Sequence, residues 1–107
     1  IRSMKGRTPN TKKLSHMNKV REIGCIVCRN KGHYFVPCEI HHVYGKTKED
    51  AHFKVLPLCF EHHRRGGGEE PISRHPYKKR FVEAYGTEAE LLIQVAELLE
   101  DYDNLPF

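Results

Sequence analysis

Two short Cys/His pairs constrain the fold of this chain more than any other feature. Two residues separate Cys25 from Cys28, two separate Cys59 from His62, and 30 residues lie between the pairs. A spacing of two lets both side chains of a pair converge on one tetrahedral ion. The first pair flanks a tight turn typical of a zinc knuckle, and the second is predicted at the start of a helix, as in a treble-clef site. We therefore predict that these four residues bind a structural Zn²⁺.

Two other interpretations of the cysteines are open at this point. The pairs could be unrelated buried residues, and Cys38, on a predicted strand, could be a rival ligand, although a small core residue is the favoured interpretation. Disulfides would need an oxidising compartment, and no feature of the chain points to secretion. The apolar fraction is slightly below average, which predicts a thin hydrophobic core. A bound metal would add the stability that such a core lacks. The binding free energy of a structural zinc, on the order of 10 kcal/mol, becomes folding free energy.

Charged residues are distributed unevenly along the chain. All 18 Lys and Arg lie in residues 1–80, whereas the charged residues of 81–107 are acidic. Seven basic residues precede the first acid, Glu22. Such a basic arm, predicted over residues 1–14, is typical of proteins that bind nucleic acid; a solvated, partly disordered terminus is the alternative. The chain has no run of about 18 apolar residues, so we predict no membrane span.

Periodicity and capping signals predict an α+β chain. The C-terminal part is the clearest, because Thr87 and Glu90 form a capping-box pattern. After them, Leu91, Val95 and Leu98 form an apolar stripe of a helix that packs on the core. The acidic outer face of this helix would repel a phosphate backbone, so we expect it to lie away from DNA. The other predicted elements are a helix over 16–23 with Ser15 as N-cap, strands over 34–44 and 53–58, a helix from Cys59 to the glycines at 66–68, and a helix from Pro76 to Gly86.

The histidine pairs and their surroundings resemble the HNH, or ββα-metal, endonuclease family. The resemblance covers residues 25–65, where a strand with paired histidines leads through a hairpin into a helix with another pair. The chain after residue 65 is similar to the phage-borne, RecA-dependent nucleases among the members. The motifs that carry the resemblance are the two zinc pairs, Glu39-Ile40-His41-His42, Leu56-Pro57-Leu58-Cys59, His62-His63, His75 before a basic helix, and Phe81-x3-Tyr85-Gly86.

The resemblance implies a small zinc-stapled ββα-metal domain, treble-clef-like, with added C-terminal helices. This nuclease domain would span residues 15–107. Within it we expect the zinc knuckle at 24–32, the ββα core at 33–66 and the C-terminal helices at 75–103.

By the same resemblance, His41 is a ligand of a catalytic ion, His42 is the general base and His63 is the second ligand. His75 is the third predicted ligand, because the glycines before it let the chain return to the site. The ion would be Mg²⁺, Mn²⁺ or Zn²⁺. A cation can take up charge on the phosphate while a neutral imidazole accepts a proton from water.

Alternatives to these roles also follow from the sequence. His41, His42 and His63 could instead make structural hydrogen bonds or bind zinc, and His62 and His63 could exchange roles. Surface or capping positions are expected for the remaining histidines, which are His16, His33 and His52.

One position departs from the family pattern. HNH enzymes carry an Asn five residues before the Cys that opens the helix, and its carbonyl orients the base. Here that position, counted back from Cys59, is Lys54. His52 lies two residues away on the same predicted strand face, so His52 or a backbone carbonyl could orient His42 instead.

We therefore predict a metal-dependent DNA endonuclease that hydrolyses phosphodiester bonds with little sequence specificity. The alternative is a non-catalytic zinc-binding nucleic-acid module, which needs four ligands and leaves the other histidines without a role. The resemblance further implies a RecA filament on single-stranded DNA as a partner, and the cytoplasm of a bacterial host as the location. Phosphate contacts, which position DNA without reading its sequence, are predicted for Lys12, Lys13, Lys46, Lys48, Arg64, Arg65, Lys78, Lys79 and Arg80.

Overall fold

A two-stranded antiparallel sheet is the element against which most helices pack. The computed structural model describes residues 10–45 and 51–103, with side chains as far as residue 101. Strands β1 (Glu39–His42) and β2 (Val55–Leu58) form the sheet, and the predicted α+β class is confirmed. The other elements are helices α1 (Thr11–Ile23), α2 (Ile26–Asn30), α3 (Lys78–Tyr85) and α4 (Glu88–Asp103), a 3-10 turn (Ala51–Phe53) and a π-helix (Glu61–Arg65).

Helix α1 begins earlier than the sequence predicts. Asn10 caps it, because its Oδ1 accepts a hydrogen bond from the backbone N of Lys13 at 2.9 Å. The predicted cap, Ser15, lies inside the helix. Asn is as good an N-cap as Ser, so the last residues of the predicted arm, 11–14, are helical. The helix ends at Gly24, as predicted.

Both strands are shorter than predicted. β1 covers four residues of the predicted 34–44, and β2 covers four of the predicted 53–58. Residues 51–53 form the 3-10 turn instead of extended chain, so β2 offers only four partners for hydrogen bonding. On the other side, Pro37 has no N–H to donate to a ladder. The prediction from the aromatic and β-branched composition of residues 34–44 therefore overestimates the length of β1.

The register of the sheet decides which face each functional side chain occupies. His41 lies opposite Leu56, and His42 lies opposite Val55. Since side chains alternate along a strand, Glu39 and His41 share one face while His42 lies on the other.

The helix predicted from Cys59 is a five-residue π-helix. It ends at Gly66, whose N–H donates to the carbonyl of Glu61 at 2.8 Å. A Cβ at Gly66 would collide with the carbonyl oxygens of Glu61 and Pro71, so this turn requires glycine. Short π-helices are rare and occur frequently at functional sites.

Helix α3 starts two residues later than predicted. Pro76 was the predicted first helical residue, but Tyr77, with φ −96° and ψ 49°, is not helical and precedes the helix. The helix ends at Gly86, as predicted, where φ is 102°. Glycine tolerates this left-handed backbone without strain.

Helix α4 has the predicted capping box. Thr87 Oγ1 accepts from the backbone N of Glu90 at 3.1 Å, and Glu90 Oε1 accepts from the backbone N of Thr87 at 2.8 Å. Leu91 and Val95 are buried and join the single core, and Phe81 of α3 is fully buried there. Within the described ranges, no helix is both long and apolar enough to cross a membrane.

Candidate metal centres and their surroundings

Cys25, Cys28, Cys59 and His62 converge into one buried cluster, as the sequence predicts. Their four ligand atoms all lie within 4.8 Å of one another. The Cys28 and Cys59 sulfurs are 3.8 Å apart, and His62 Nδ1 lies 3.1–3.7 Å from the three sulfurs. A tetrahedral zinc with Zn–S bonds of about 2.3 Å would separate its sulfurs by about 3.8 Å. The donor set and its spacing therefore fit a zinc ion.

Local backbone structure brings these ligands together. Cys25 caps α2, where its Sγ accepts from the backbone N of Cys28 at 3.4 Å. Cys59 directly follows β2, and His62 lies in the π-helix. On the outer side of the cluster, His62 Nε2 lies 3.6 Å from Glu70 Oε1. The nearer contact of Nε2 is the ammonium of Lys31, whose Nζ lies 2.8 Å away and pairs with Glu70.

Burial keeps the side chains of Cys25, Cys28 and His62 in this cluster uncharged as long as no cation is bound. Burial raises the pKa of both Cys25 and Cys28. Burial, with the nearby Lys31 ammonium, also lowers the pKa of His62 to about 4. The cysteines are not joined by disulfides. Zinc binding would thus displace the thiol protons of Cys25 and Cys28, whereas His62 is already neutral and need not lose a proton.

Cys38 is not part of this cluster. Its Sγ donates to the backbone carbonyl of Arg21 at 3.7 Å, and the residue packs against the core. This placement agrees with the favoured interpretation of Cys38 as a small core residue.

Three further histidines form a second cluster. The ligand atoms of His41, His63 and His75 lie within 4.8 Å of one another, and the ring centroids are 5.1–5.3 Å apart. They come from β1, from the π-helix and from the segment before α3. That segment is held in place by backbone hydrogen bonds from Arg74 N to His62 O at 2.8 Å and from His75 N to His63 O at 2.9 Å.

Adjacent residues of the π-helix point into different clusters. His62 faces the cysteines, while His63 faces the other histidines. The structure therefore places His62 with the cysteines and His63 with the histidines, and not the reverse.

The two clusters differ in exposure and in ligand number. All four residues of the first are buried, whereas in the second His41 is buried, His63 is partly exposed and His75 is exposed. Closed four-ligand sites are typical of structural zinc, and three-ligand sites with open positions are typical of catalytic metals. The histidine cluster can thus hold an ion that solvent and a substrate reach from the side of His75.

Carboxylates accept hydrogen bonds from two of these histidines. Glu88 Oε2 accepts from His41 Nε2 at 2.7 Å and from Arg74 Nε at 2.9 Å. Glu39 Oε1 accepts from His63 Nδ1 at 2.8 Å. A carboxylate that accepts from one ring nitrogen leaves the lone pair on the other, which is how metal-binding histidines are commonly held.

Electrostatics keep these groups in the states that metal binding needs. Burial opposes the charge of Glu88, but hydrogen bonds from His41 and Arg74 lower its pKa to about 2. Arg64 and then His63 lower the pKa of Glu39 to about 2. Burial lowers the pKa of His63. Burial and then His41 lower that of His75. The imidazoles of His63 and His75 are thereby kept neutral, and the carboxylates of Glu39 and Glu88 ionised.

The side chain of His42 lies on the other face of β1 from that of His41, and it pairs with His52. His42 Nε2 and His52 Nδ1 share a hydrogen bond of 2.9 Å. The expectation that His52 lies at the surface is wrong, because only 3% of it is exposed; the alternative placement beside His42 is the one observed. His16 is half-buried and its ring meets Phe53 edge-on, and His33 is exposed as expected.

The predicted phosphate-contacting residues occupy several surfaces. Arg64 pairs with Glu39, Arg65 with Glu61, and Lys78 Nζ lies 3.9 Å from Glu88 Oε1. Lys46 and Lys48, like residues 1–9 of the predicted arm, lie outside the described residues. The other four are Lys12 and Lys13 on α1, and Lys79 and Arg80 on α3.

Three residues that surround the histidine cluster, Glu39, Glu88 and Arg74, were not predicted from the sequence as site residues. Glu39 could have been found, because it lies two residues before His41 and so shares its strand face. Glu88 looked like an ordinary first-turn acid of α4, and Arg74 carried no signal. Their contact spans 14 residues, and Glu88 is 47 residues from His41, so only the fold reveals them.

A comparison with known proteins gives the arrangement a family. The model of the family described as recombination enhancement, RecA-dependent nuclease, matches residues 8–100, a range that includes both clusters, both strands and the helices except the last three residues of α4. The chain belongs to this family of RecA-dependent nucleases.

Proposed function

We propose that the chain is a metal-dependent endonuclease of the HNH type, which hydrolyses DNA phosphodiester bonds with His42 as general base. The observation that supports this most is the open cluster of His41, His63 and His75. His42 points to the opposite face of β1 but is the last residue of the strand, so the scissile phosphate would lie at the end of the strand, between the cluster and the His42–His52 pair. The order β1, β2, π-helix corresponds to the ββα-metal arrangement, with the cysteine-rich cluster as its structural zinc site.

The three imidazoles would hold the catalytic cation. When bound, a divalent cation supplies positive charge to the scissile phosphate and the departing oxygen. Neutral nitrogen donors suit Zn²⁺ and similar transition metals, whereas Mg²⁺ prefers oxygen ligands. Among Mg²⁺, Mn²⁺ and Zn²⁺, the donor set therefore favours Zn²⁺.

His42 would activate the attacking water. In the tautomer in which His42 Nε2 donates to His52 Nδ1, His42 Nδ1 would accept a proton from water as the water oxygen attacks phosphorus. The phosphorus–oxygen bond to one sugar would then break and the departing oxygen would take a proton from solvent, which leaves a phosphate monoester on one end and a hydroxyl on the other. His52 would fix the ring and its tautomer, in place of the Asn that the HNH pattern has at the position of Lys54.

The partner of the reaction is proposed from the family. Members are RecA-dependent, so a RecA filament on single-stranded DNA is the proposed directing partner, and DNA is the substrate. The basic surfaces of α1 and α3 would contact phosphates, and binding should weaken steeply with salt.

A cleavage assay tests the proposal. Circular DNA is incubated with Mn²⁺, Mg²⁺ or Zn²⁺, with and without RecA-coated single-stranded DNA. His42→Ala should lower the rate by about 10²–10⁴-fold, the range for removal of a general base. His33→Ala, an exposed histidine outside both clusters, is the control and should cut normally.

Two results would overturn the proposal. Equal cleavage by His42→Ala and the parent chain would remove His42 as the base. DNA binding without cleavage under every condition would instead support the non-catalytic zinc-binding module.

A further inference from the structure

An exposed aromatic ring is linked to the histidine cluster through Arg64 and Glu39. Phe60 follows the zinc ligand Cys59 directly and is 44% exposed. The guanidinium carbon of Arg64 lies 4.8 Å from its ring centroid, and that of Arg65 lies 6.0 Å away.

Arg64 is held on two sides. One edge of its guanidinium donates to Glu39, from Nε at 3.1 Å and from Nη2 at 2.9 Å. One face lies against Phe60. The same Glu39 accepts from His63 Nδ1, so the guanidinium is fixed relative to a predicted metal ligand.

This arrangement changes what Arg64 offers to DNA. Glu39 already compensates its charge, and Arg65 is likewise paired with Glu61 at 3.2 Å. The side chain of Arg64 nevertheless remains 58% exposed. Its distinctive feature is thus an oriented plane rather than an unpaired charge.

We propose that Arg64 and Phe60 form a stacking platform for an unpaired base of the DNA strand that is cut. Nucleobases stack on aromatic rings and on guanidinium planes in complexes with single-stranded nucleic acids. In a duplex both faces of each base are covered by neighbouring bases. The platform therefore selects single-stranded or displaced-strand DNA at the histidine cluster.

This inference rests on the proposed function, since it assumes that the scissile strand reaches the histidine cluster. It is nevertheless tested by binding rather than by cleavage. Every variant is made in the His42→Ala background, so that the DNA stays intact. Failure of the nuclease proposal would appear in the cleavage assay, and failure of the platform would appear here.

The experiment compares single-stranded and duplex oligonucleotides of the same sequence. Phe60→Ala should weaken single-strand binding by about tenfold, within the range for loss of one base–aromatic stack, and should change duplex binding less than about twofold. Phe60→Trp, which keeps a plane, should bind normally. Arg64→Lys, which keeps the charge and loses the plane, should behave like Phe60→Ala. Lys79→Ala, on the exposed surface of α3, is the control for a phosphate contact and should weaken both substrates equally.

A fluorescent base analogue in the single strand gives a second readout. Stacking on the platform quenches its emission, and the quench should be lost in Phe60→Ala but retained in Phe60→Trp. The proposal is overturned if Phe60→Ala affects both substrates equally or neither, or if Arg64→Lys binds single strands as the parent does.

Discussion

At the scale of single residues, Glu88 shows how a distant acid can complete a histidine cluster. Its carboxylate joins His41 to Arg74 in a setting where its side chain is only 7% exposed. A buried charge is stable only if it is paired and hydrogen-bonded, and here both hydrogen bonds come from the cluster and its neighbour. Glu88 thus contacts the histidine cluster and is also the first residue of α4.

Glu88→Gln should weaken metal binding at the histidine cluster. Glutamine keeps the size of the side chain but removes the charge that strengthens the hydrogen bond from His41. Loss of such a partner costs about 10–100-fold in metal affinity, which titration with Mn²⁺ or Zn²⁺ would measure on zinc-loaded protein. Glu97→Gln, an exposed acid of the same helix, is the control. If both variants bind the ion equally, Glu88 does not support the ligand.

At the scale of elements, sequence signals were sufficient where they depended on local contacts. The capping box of α4, the glycine ends of α1 and α3, and the x2 spacing of the zinc pairs all involve residues within one turn of each other. Strand lengths were overestimated, because the partner strand rather than the composition of 34–44 sets where β1 ends. The π-helix was not predicted, and the close approach of Gly66, at its end, to the backbone of Pro71 across the following loop leaves no local sequence pattern.

Gly66→Ala should destabilise this π-helix and both clusters that it serves. The added Cβ would meet the carbonyl oxygens of Glu61 and Pro71, and backbone atoms cannot yield cheaply. Overpacking of this kind costs about 1–3 kcal/mol, which urea unfolding would detect as a lower midpoint. Gly67→Ala is a matched control, because its Cβ would meet nothing within 4 Å and the midpoint should be unchanged. Equal midpoints for the two variants would contradict the steric argument.

At the scale of the whole molecule, the C-terminal half closes both clusters. Glu70 and Tyr85 lie against His62, while Arg74, His75 and Glu88 complete the histidine cluster. The x2 spacings predicted the four residues of the cysteine-rich cluster, the HNH resemblance, which covers residues 25–65, predicted His41 and His63, and the glycines at 66–68 predicted the return of His75. The contacts of Arg74 and Glu88 depend on how residues 66–88 cross the π-helix, and no local pattern encodes that path.

Because zinc and protons compete for the same ligands, stability should depend on pH with a definite sign. Burial and then Lys31 lower the pKa of His62 from 6.5 to about 4, so the unfolded chain binds more protons than the folded one between these values. The contribution of neutral His62 to the free energy of unfolding should therefore be complete above about pH 6.5 and should be lost as the pH drops toward 4. Zinc strengthens the effect, because protonation of the thiolates and of His62 releases the ion.

Urea unfolding of zinc-loaded protein at several pH values, with a zinc indicator present, would measure this dependence. We expect the midpoint to fall and zinc to be released together below about pH 6.5. Cys59→Ser should lower the midpoint already at neutral pH and flatten the pH profile, because the ion is no longer held. Cys38→Ser is the control, since Cys38 lies outside the cluster, and it should keep both the zinc and the profile of the parent. A midpoint that stays constant down to about pH 4 would contradict the role of His62 as a zinc ligand.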